Sequence, residues 1–407
     1  MLTMIHQNPV SITDGLVSVD RKFHAGMLKY ARSLDVPVRS VNPLLAPDLA
    51  IMDPVCIALD SLPYEIVGIP LEPNGQATPA GLARLESVVR SSRLIYGQAY
   101  GAATFARRFN VPYIALVEYD FSTRLRVSRS QVSGPIRQFV RTVKTGADYL
   151  LRERPILLGA AGIHCNGYPI LDQVRRIGRA GLLYLDSRQT AEMLIGEAAL
   201  EARMEHFGHG PLKLLFSGRF EPMKGVIDAV RVGLECKRIG LDVEFDLFGQ
   251  GSLKADMIAL IEQSGHGASI RVHDAIPFGD LFERSKRYDL FVCCHDQGDP
   301  SCTYLEAMGA GLPIVGYGNA MWSRLNAEAE AGLVVEMGDV GAAASAIQSL
   351  SRDPNRYAML ARKARSFAAA HTFEDEFAKR VTDLSRMYTW AAGREDRRRN
   401  EALVGAA

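Results

Sequence analysis

Short apolar runs alternate with longer amphipathic stretches along nearly the whole chain, the pattern of buried strands joined by helices. In the first half this spacing predicts strands at Leu2–Ile5, Val36–Val41, Arg93–Tyr96, Tyr113–Val117, Gly159–Ile163 and Leu182–Leu185. Helices are expected at His24–Leu34 and Leu82–Arg90, with part of another at Ala147–Leu151. Arg188–Gly210 reads as helical at first and then turns polar and rich in Gly and His, so an interdomain linker is expected near His206–Pro211. The alternation restarts at Lys213 and runs to about Asp383, with strands beginning at Leu214, Val243 and Leu312 and helices at Val226–Leu234, Asp280–Arg287, Gly341–Leu350 and Pro354–Ala369. Two such series predict an α/β fold with parallel sheets and helices on both faces, and the tail Gly393–Ala407 is expected to be frayed and solvated.

Candidate chemistry gathers where the second-half strands end. Leu214-Leu-Phe-Ser-Gly218-Arg219 runs into a loop holding Lys224 and Gly225 before a helix. An Arg fork and a Lys point charge can neutralise a departing diphosphate, and glycines let the backbone come close to it. The Gly-x4-Gly-Lys-Ser/Thr spacing of a P-loop is absent. Val243–Phe248 then leads into Gly249-Gln-Gly251. Further on, Asp299-Pro-Ser301-Cys302-Thr303 reads as an anion-binding helix start, with Glu306 one turn later and Gly309 and Gly311 ending the helix. All three units fall at strand carboxyl ends, where open α/β sheets bind ligands.

Taken in order, Gly218-Arg219, Lys224-Gly225, Gly249-Gln-Gly251 and Glu306-Ala-Met-Gly-Ala-Gly-Leu-Pro resemble the donor half of a family 4 glycosyltransferase of the GT-B type. The resemblance implies two Rossmann-like domains facing across a cleft: residues 1–208 on the acceptor side and residues 209–385 binding a nucleotide sugar. Residues 386–407 would form a helix crossing back and a tail, a path that Phe377–Trp390 suits. By the same resemblance Arg219 and Lys224 hold the donor diphosphate and act in catalysis, and Glu306 binds the ribose hydroxyls. Gly218, Gly249, Gly251, Ser301, Cys302 and Thr303 complete the donor site. The earlier Glu of the family's Glu-x7-Glu motif falls here on Gly298, flanked by Gln297 and Asp299. The resemblance leaves open which of Asp299, Gln297 and His295 meets the sugar, and Asp299 is the catalytic candidate. The string Gln297–Glu306 also resembles a subgroup among bacterial polysaccharide-assembly transferases.

The first half is less legible. At the position of the family's Gly-rich loop stands Ser11-Ile-Thr-Asp-Gly15, where Gly15 either approaches the donor phosphate or makes an ordinary surface turn. Where the family usually has a His after a strand, this chain has Glu118, followed by Tyr119 and Asp120. A carboxylate there can orient an acceptor hydroxyl or take its proton; a solvated loop is the plain alternative. His164-Cys-Asn166-Gly is a weaker candidate for the same cleft.

Between Arg124 and Lys144 stand Arg124, Arg126, Arg129, Arg137, Arg141 and Lys144 with no acid, interleaved with Leu125, Val127, Ile136, Phe139, Val140 and Val143. Arg137, Arg141 and Lys144 share helical spacing and form either a face for anionic lipid or a solvated one. Over the whole chain the charge is balanced: 47 basic and 46 acidic residues among 407 argue against a nucleic-acid binder. Six cysteines without CxxC spacing point to reduced thiols rather than zinc ligands. No apolar run approaches ~20 residues, so a cytoplasmic enzyme, at most peripheral at the inner membrane face, is expected. The resemblance therefore implies transfer of a sugar from a UDP- or GDP-type donor to a saccharide or lipid-linked saccharide, retaining, with no metal or other cofactor. Two readings stand beside it: another GT-B enzyme, an epimerase or phosphorylase, and a catalytically silent nucleotide-sugar binder suggested by Gly298.

Overall fold

The computed structural model describes residues 1–45, 51, 53–72, 75–298 and 300–404. Two parallel sheets carry the fold. The first has seven strands in the order Leu182–Tyr184, Gly162–Asn166, Tyr113–Val117, Leu94–Gln98, Leu2–Ile5, Val38–Pro43, Glu65–Ile69. The second has six: Ile270–His273, Val243–Phe248, Leu212–Ser217, Leu290–Cys293, Ile314–Tyr317, Gly332–Val335. The order of each sheet reverses beside its first strand, which opens a crevice at the carboxyl ends. Successive residues of a strand face opposite sides, and here both sides are covered. Leu214, Phe216, Phe245 and Leu247 enter one core, Leu215, Phe248, Phe291 and Ile314 the other. This is why these strands read as unbroken apolar runs.

A third, antiparallel sheet of Ser11–Thr13, Leu16–Asp20 and Pro54–Ala58 was not expected. Its hairpin turn is Asp14-Gly15, with φ +50° and +76° and Thr13 paired to Leu16, the two-residue turn that Asp-Gly favours. The helix expected at His24–Leu34 begins earlier, spanning Arg21–Ser33, because the Asp20 side chain accepts from the Phe23 amide. The strand expected at Gly159–Ile163 starts at Gly162, since Gly159 still closes the helix Arg154–Gly159.

The chain changes domain earlier than His206–Pro211. Ile195, Leu200, Met204 and Phe207 pack in the second domain's core, and Phe207 stacks on Tyr357 with ring centroids 3.6 Å apart. The helix Phe373–Val404 returns, placing Phe377, Leu384, Met387, Tyr388 and Ala391 in the first domain's core. His164 is fully buried and bonds through Nε2 to Asp383 of that helix at 2.9 Å, which, helped by Arg386, lowers the Asp383 carboxyl to about 2. His164 is thus a strut between strand and crossing helix. The expected fraying from Gly393 is corrected: the helix runs on to Val404, since Ala, Arg, Glu and Leu dominate the stretch and one glycine costs only about 1 kcal/mol. No helix among the described residues is long and apolar enough to cross a membrane.

Candidate active site

In the second domain, two strand-end loops are bonded side by side. The Gly218 amide donates to Phe248 O at 3.0 Å, Phe220 N to Gln250 O at 2.7 Å and Leu253 N to Phe220 O at 3.0 Å. Gly218, Gly249 and Gly251 therefore lie on one surface. Gly249 permits this contact, since a Cβ on it would sit 1.9 Å from Gly218 O. The turn Pro222–Lys224 ends at Gly225, whose φ of +58° and Cβ-to-Cys294 O separation of 1.7 Å allow only glycine. That close approach locks the Lys224 loop onto the next strand end. Lys224 is buried, whereas Arg219 is exposed with Nη2 3.7 Å from Met223 Sδ. Gln297 donates to the same sulfur at 3.2 Å, so Arg219 and Gln297 meet around Met223.

The helix expected after Asp299 spans Thr303–Gly309, with Cys302 preceding it and Ser301 Oγ donating to Thr303 Oγ1 at 3.1 Å. Asp299 itself lies outside the described residues. His295 is buried against Tyr304, ring centroids 5.6 Å apart, and its carbonyl accepts from Asn319 Nδ2 at 3.1 Å. Glu306 is buried at the edge of a narrow cleft that is also lined by Leu215, Ser217, Phe278, Leu281 and Phe291. Its Oε1 accepts from Arg188 Nε at 2.7 Å, and the Arg188 guanidinium lies 4.1 Å from the Phe278 ring centroid. Although burial alone would lower it, Glu306 keeps the Arg188 pKa above its ordinary value.

The first domain presents Gln98, Glu118, Asn166 and Asp186 at or just beyond the ends of four adjacent strands. Lys22, in the first turn of Arg21–Ser33, reaches Asp186 at 2.5 Å and Cys302 Sγ at 3.4 Å, and the Cys302 thiol lies 3.2 Å from Asp186 Oδ2. This cluster joins the domains at the start of the Thr303–Gly309 helix. Burial alone would raise the Asp186 pKa, but the Lys22 ammonium, with Arg380 and the thiol, holds it below the usual carboxylate range. Burial, with Asp186 alongside, pushes Cys302 up to about 12, so the thiol stays protonated. Glu118 is raised by burial and by Asp186, against the opposing pull of Lys22 and a Gln98 hydrogen bond. Asn166 accepts from the Asp186 amide at 3.2 Å and fixes that loop. Gly15 lies at the exposed hairpin tip, its carbonyl accepting from Leu59 N at 2.9 Å.

Lys22, Asp186, Arg188 and Gln98 escaped the sequence reading. One signal was available: Asp186 directly follows an expected strand, the same placement that singled out Glu118. Lys22 carried none, since its partners stand 164 and 280 residues away.

Residues 201–367 match the family described as glycosyl transferases group 1. No curated protein matches the chain. Among solved structures, the fold resembles Anabaena Alr3699/HepE in complex with UDP, at 14% identity and a TM-score of 0.63, over 96% of this chain and 99% of that one. Sucrose-phosphate synthase from Thermosynechococcus elongatus gives 14% and 0.66, over 95% and 99%. WaaG, a glycosyltransferase involved in lipopolysaccharide biosynthesis, gives 13% and 0.61, over 93% and 98%. Residues 201–367 thus match the glycosyl transferases group 1 model, and the chain as a whole has the GT-B fold of these glycosyltransferase structures.

Proposed function

We propose that this glycosyltransferase moves a sugar from a nucleoside diphosphate donor, UDP-linked in the first instance, to a saccharide hydroxyl with retention of anomeric configuration, in the assembly of a bacterial polysaccharide. The observation that carries the reading is that the strand-end loops Gly218–Gly225 and Gly249–Gly251 are bonded to each other, while Ser217, just before the first, shares a cleft with Glu306 of the Thr303–Gly309 helix. Arg219 and Lys224 stabilise the leaving diphosphate, a task for which cations suffice without a divalent metal. Glu306 accepts from the ribose hydroxyls through the oxygen that Arg188 leaves free, while Phe278 and Leu281 offer the base an apolar wall. Across the cleft, Glu118 orients the acceptor hydroxyl and accepts its proton. HepE structures hold UDP and UDP-glucose, which supports starting with uridine donors.

The test pairs UDP-, GDP- and ADP-sugars with saccharide acceptors, following nucleotide release and the anomeric configuration of the product. A ligand at 100 times its Kd adds about 2.7 kcal/mol of stability, so a thermal-shift screen identifies the donor first. Gly298 favours one competing reading, a silent nucleotide-sugar binder. Stabilisation by a donor without turnover across the acceptor panel would establish that reading instead.

A further inference from the structure

The six most exposed large apolar side chains among the described residues all belong to one continuous segment. Ile136, Phe139, Val140, Val143, Leu150 and Leu151 are 56 to 78% exposed, against 46% or less for every other large apolar residue. Five turns of helix carry them: Pro135–Asp148 continues directly into the wider-wound Tyr149–Glu153. At about 100° per residue, Ile136, Phe139, Val140 and Val143 fall within an arc of roughly 100°. The opposite side is anchored. Thr145 is buried and donates to Ser128 Oγ at 3.1 Å, the Tyr149 and Phe121 rings lie 5.0 Å apart, and Arg124 pairs with Glu153. The naked stripe is therefore held outward by a packed hairpin.

We propose that this stripe inserts into the interfacial layer of an anionic bilayer, with Arg137, Arg141 and Lys144 set on lipid phosphates along one edge. The charge selects this occupant: no acid stands between Phe121 and Ala147, and Asp148 is within 3.7 Å of Arg152. Fourteen residues span about 21 Å, too short to cross hydrocarbon and suited to lying in the interface plane. The hairpin's first helix, Phe121–Ser130, begins three residues after Glu118, so docking brings the acceptor side of the cleft to the bilayer. The substrate class that follows is a lipid-linked saccharide. That last step rests on the glycosyl-transfer reading; insertion does not, and it goes beyond it.

The full chain is sedimented with vesicles of phosphatidylcholine alone and with about 30% phosphatidylglycerol, without donor. Binding is expected only with the anionic lipid and to fall with salt. Joint Ile136→Ser, Phe139→Ser and Val143→Ser, or joint Arg137→Gln, Arg141→Gln and Lys144→Gln, should each weaken it at least ~10-fold. Both sets lie outside the catalytic machinery, so turnover on a soluble acceptor should stay at the wild-type rate with the circular dichroism unchanged. A Phe139→Trp variant should shift to shorter emission wavelength on anionic vesicles and be quenched by brominated acyl chains. Failure to sediment at low salt, or emission that stays unshifted and unquenched, overturns insertion. So does lipid-free self-association that the serine set abolishes, which would mean that a second copy covers the stripe. Loss of turnover in solution for wild type would instead count against the transfer reading alone.

Discussion

Glu306→Gln is the sharpest test of the donor site, because it keeps the shape of the side chain and removes its charge. In the structure Glu306 Oε1 is held by Arg188 Nε at 2.7 Å, with 10% of the Glu side chain and 36% of the Arg side chain exposed. The carboxylate is thus fixed, and its second oxygen is the one available to a ribose hydroxyl. Losing a hydrogen bond to a charged group costs about 1.5–3 kcal/mol, which predicts a roughly 10- to 150-fold rise in Kd. The stability cost should be smaller, about 1 kcal/mol or less, because Arg188 keeps access to water when its partner is neutralised. Calorimetry should show the same loss for UDP and for UDP-glucose, since ribose is common to both. Asp299→Ala is expected to lower turnover while leaving UDP affinity largely intact. A Kd within threefold of wild type for both ligands would mean that Glu306 serves only as Arg188's partner, and the ribose assignment would fall.

Arg219→Ala and Lys224→Ala should each slow transfer about 10²-fold with folding retained, in the range for losing a donor aimed at developing charge; near-wild-type rates in both would place the diphosphate elsewhere. Because burial raises the Glu118 pKa above 4.5, the acid limb of kcat/KM should lie above that pH, and Glu118→Gln should remove it with most of the turnover. The sign carries over to stability: the unfolded carboxylate ionises first, so native Glu118 loses stability as pH rises through its folded pKa, and Glu118→Gln should melt no lower than wild type at pH 7. A limb unchanged in the variant would free Glu118 from the reaction. Gly298→Glu should not raise turnover, because its Cβ would stand 3.0 Å from Ala320 Cβ and 3.2 Å from Met321 N. Those atoms open a helix whose Asn319 cap is itself held by His295 O and Tyr304 OH. A faster enzyme would show that the position simply lost its carboxylate.

The second half of the chain was the more legible because its strand, loop and helix signals are local. Strand, loop and helix start follow one another within a few residues at Gly218–Gly225 and again at Ser301–Glu306, so spacing gives the elements, while the roles expected of Arg219, Lys224 and Glu306 come from the resemblance. The cluster across the cleft is assembled by tertiary contacts: Lys22 with Asp186 and Cys302, Arg188 with Glu306 across 118 positions. No periodicity reports such pairs. Asp14-Gly15 shows a different limit. Its sequence holds a hairpin signal, and the structure realises it as a turn, but a glycine near a chain start also suits a phosphate loop until the backbone register is known. Helical spacing likewise tells which of Ile136, Phe139, Val140 and Val143 share a face and is silent on whether another element covers it.

Lys22 sets a constraint on how the two halves can work together. Its ammonium lies between Asp186 of its own domain and Cys302 at the start of the Thr303–Gly309 helix. A diphosphate placed at Ser301–Thr303 brings negative charge to the neighbourhood where Asp186 is already ionised and buried. Like charges brought together in a buried site repel, so a diphosphate bound there is expected to share Lys22 or to draw the Asp186 loop back. Either response couples the donor site to the strand ends that carry Asn166, Asp186 and, two strands along, Glu118. Lys22→Ala should therefore weaken donor binding and also disturb the acceptor side, whereas Lys22→Arg, which keeps the charge, should retain most of both. Wild-type donor affinity in Lys22→Ala would show that the bridge holds the domains together without sensing the donor.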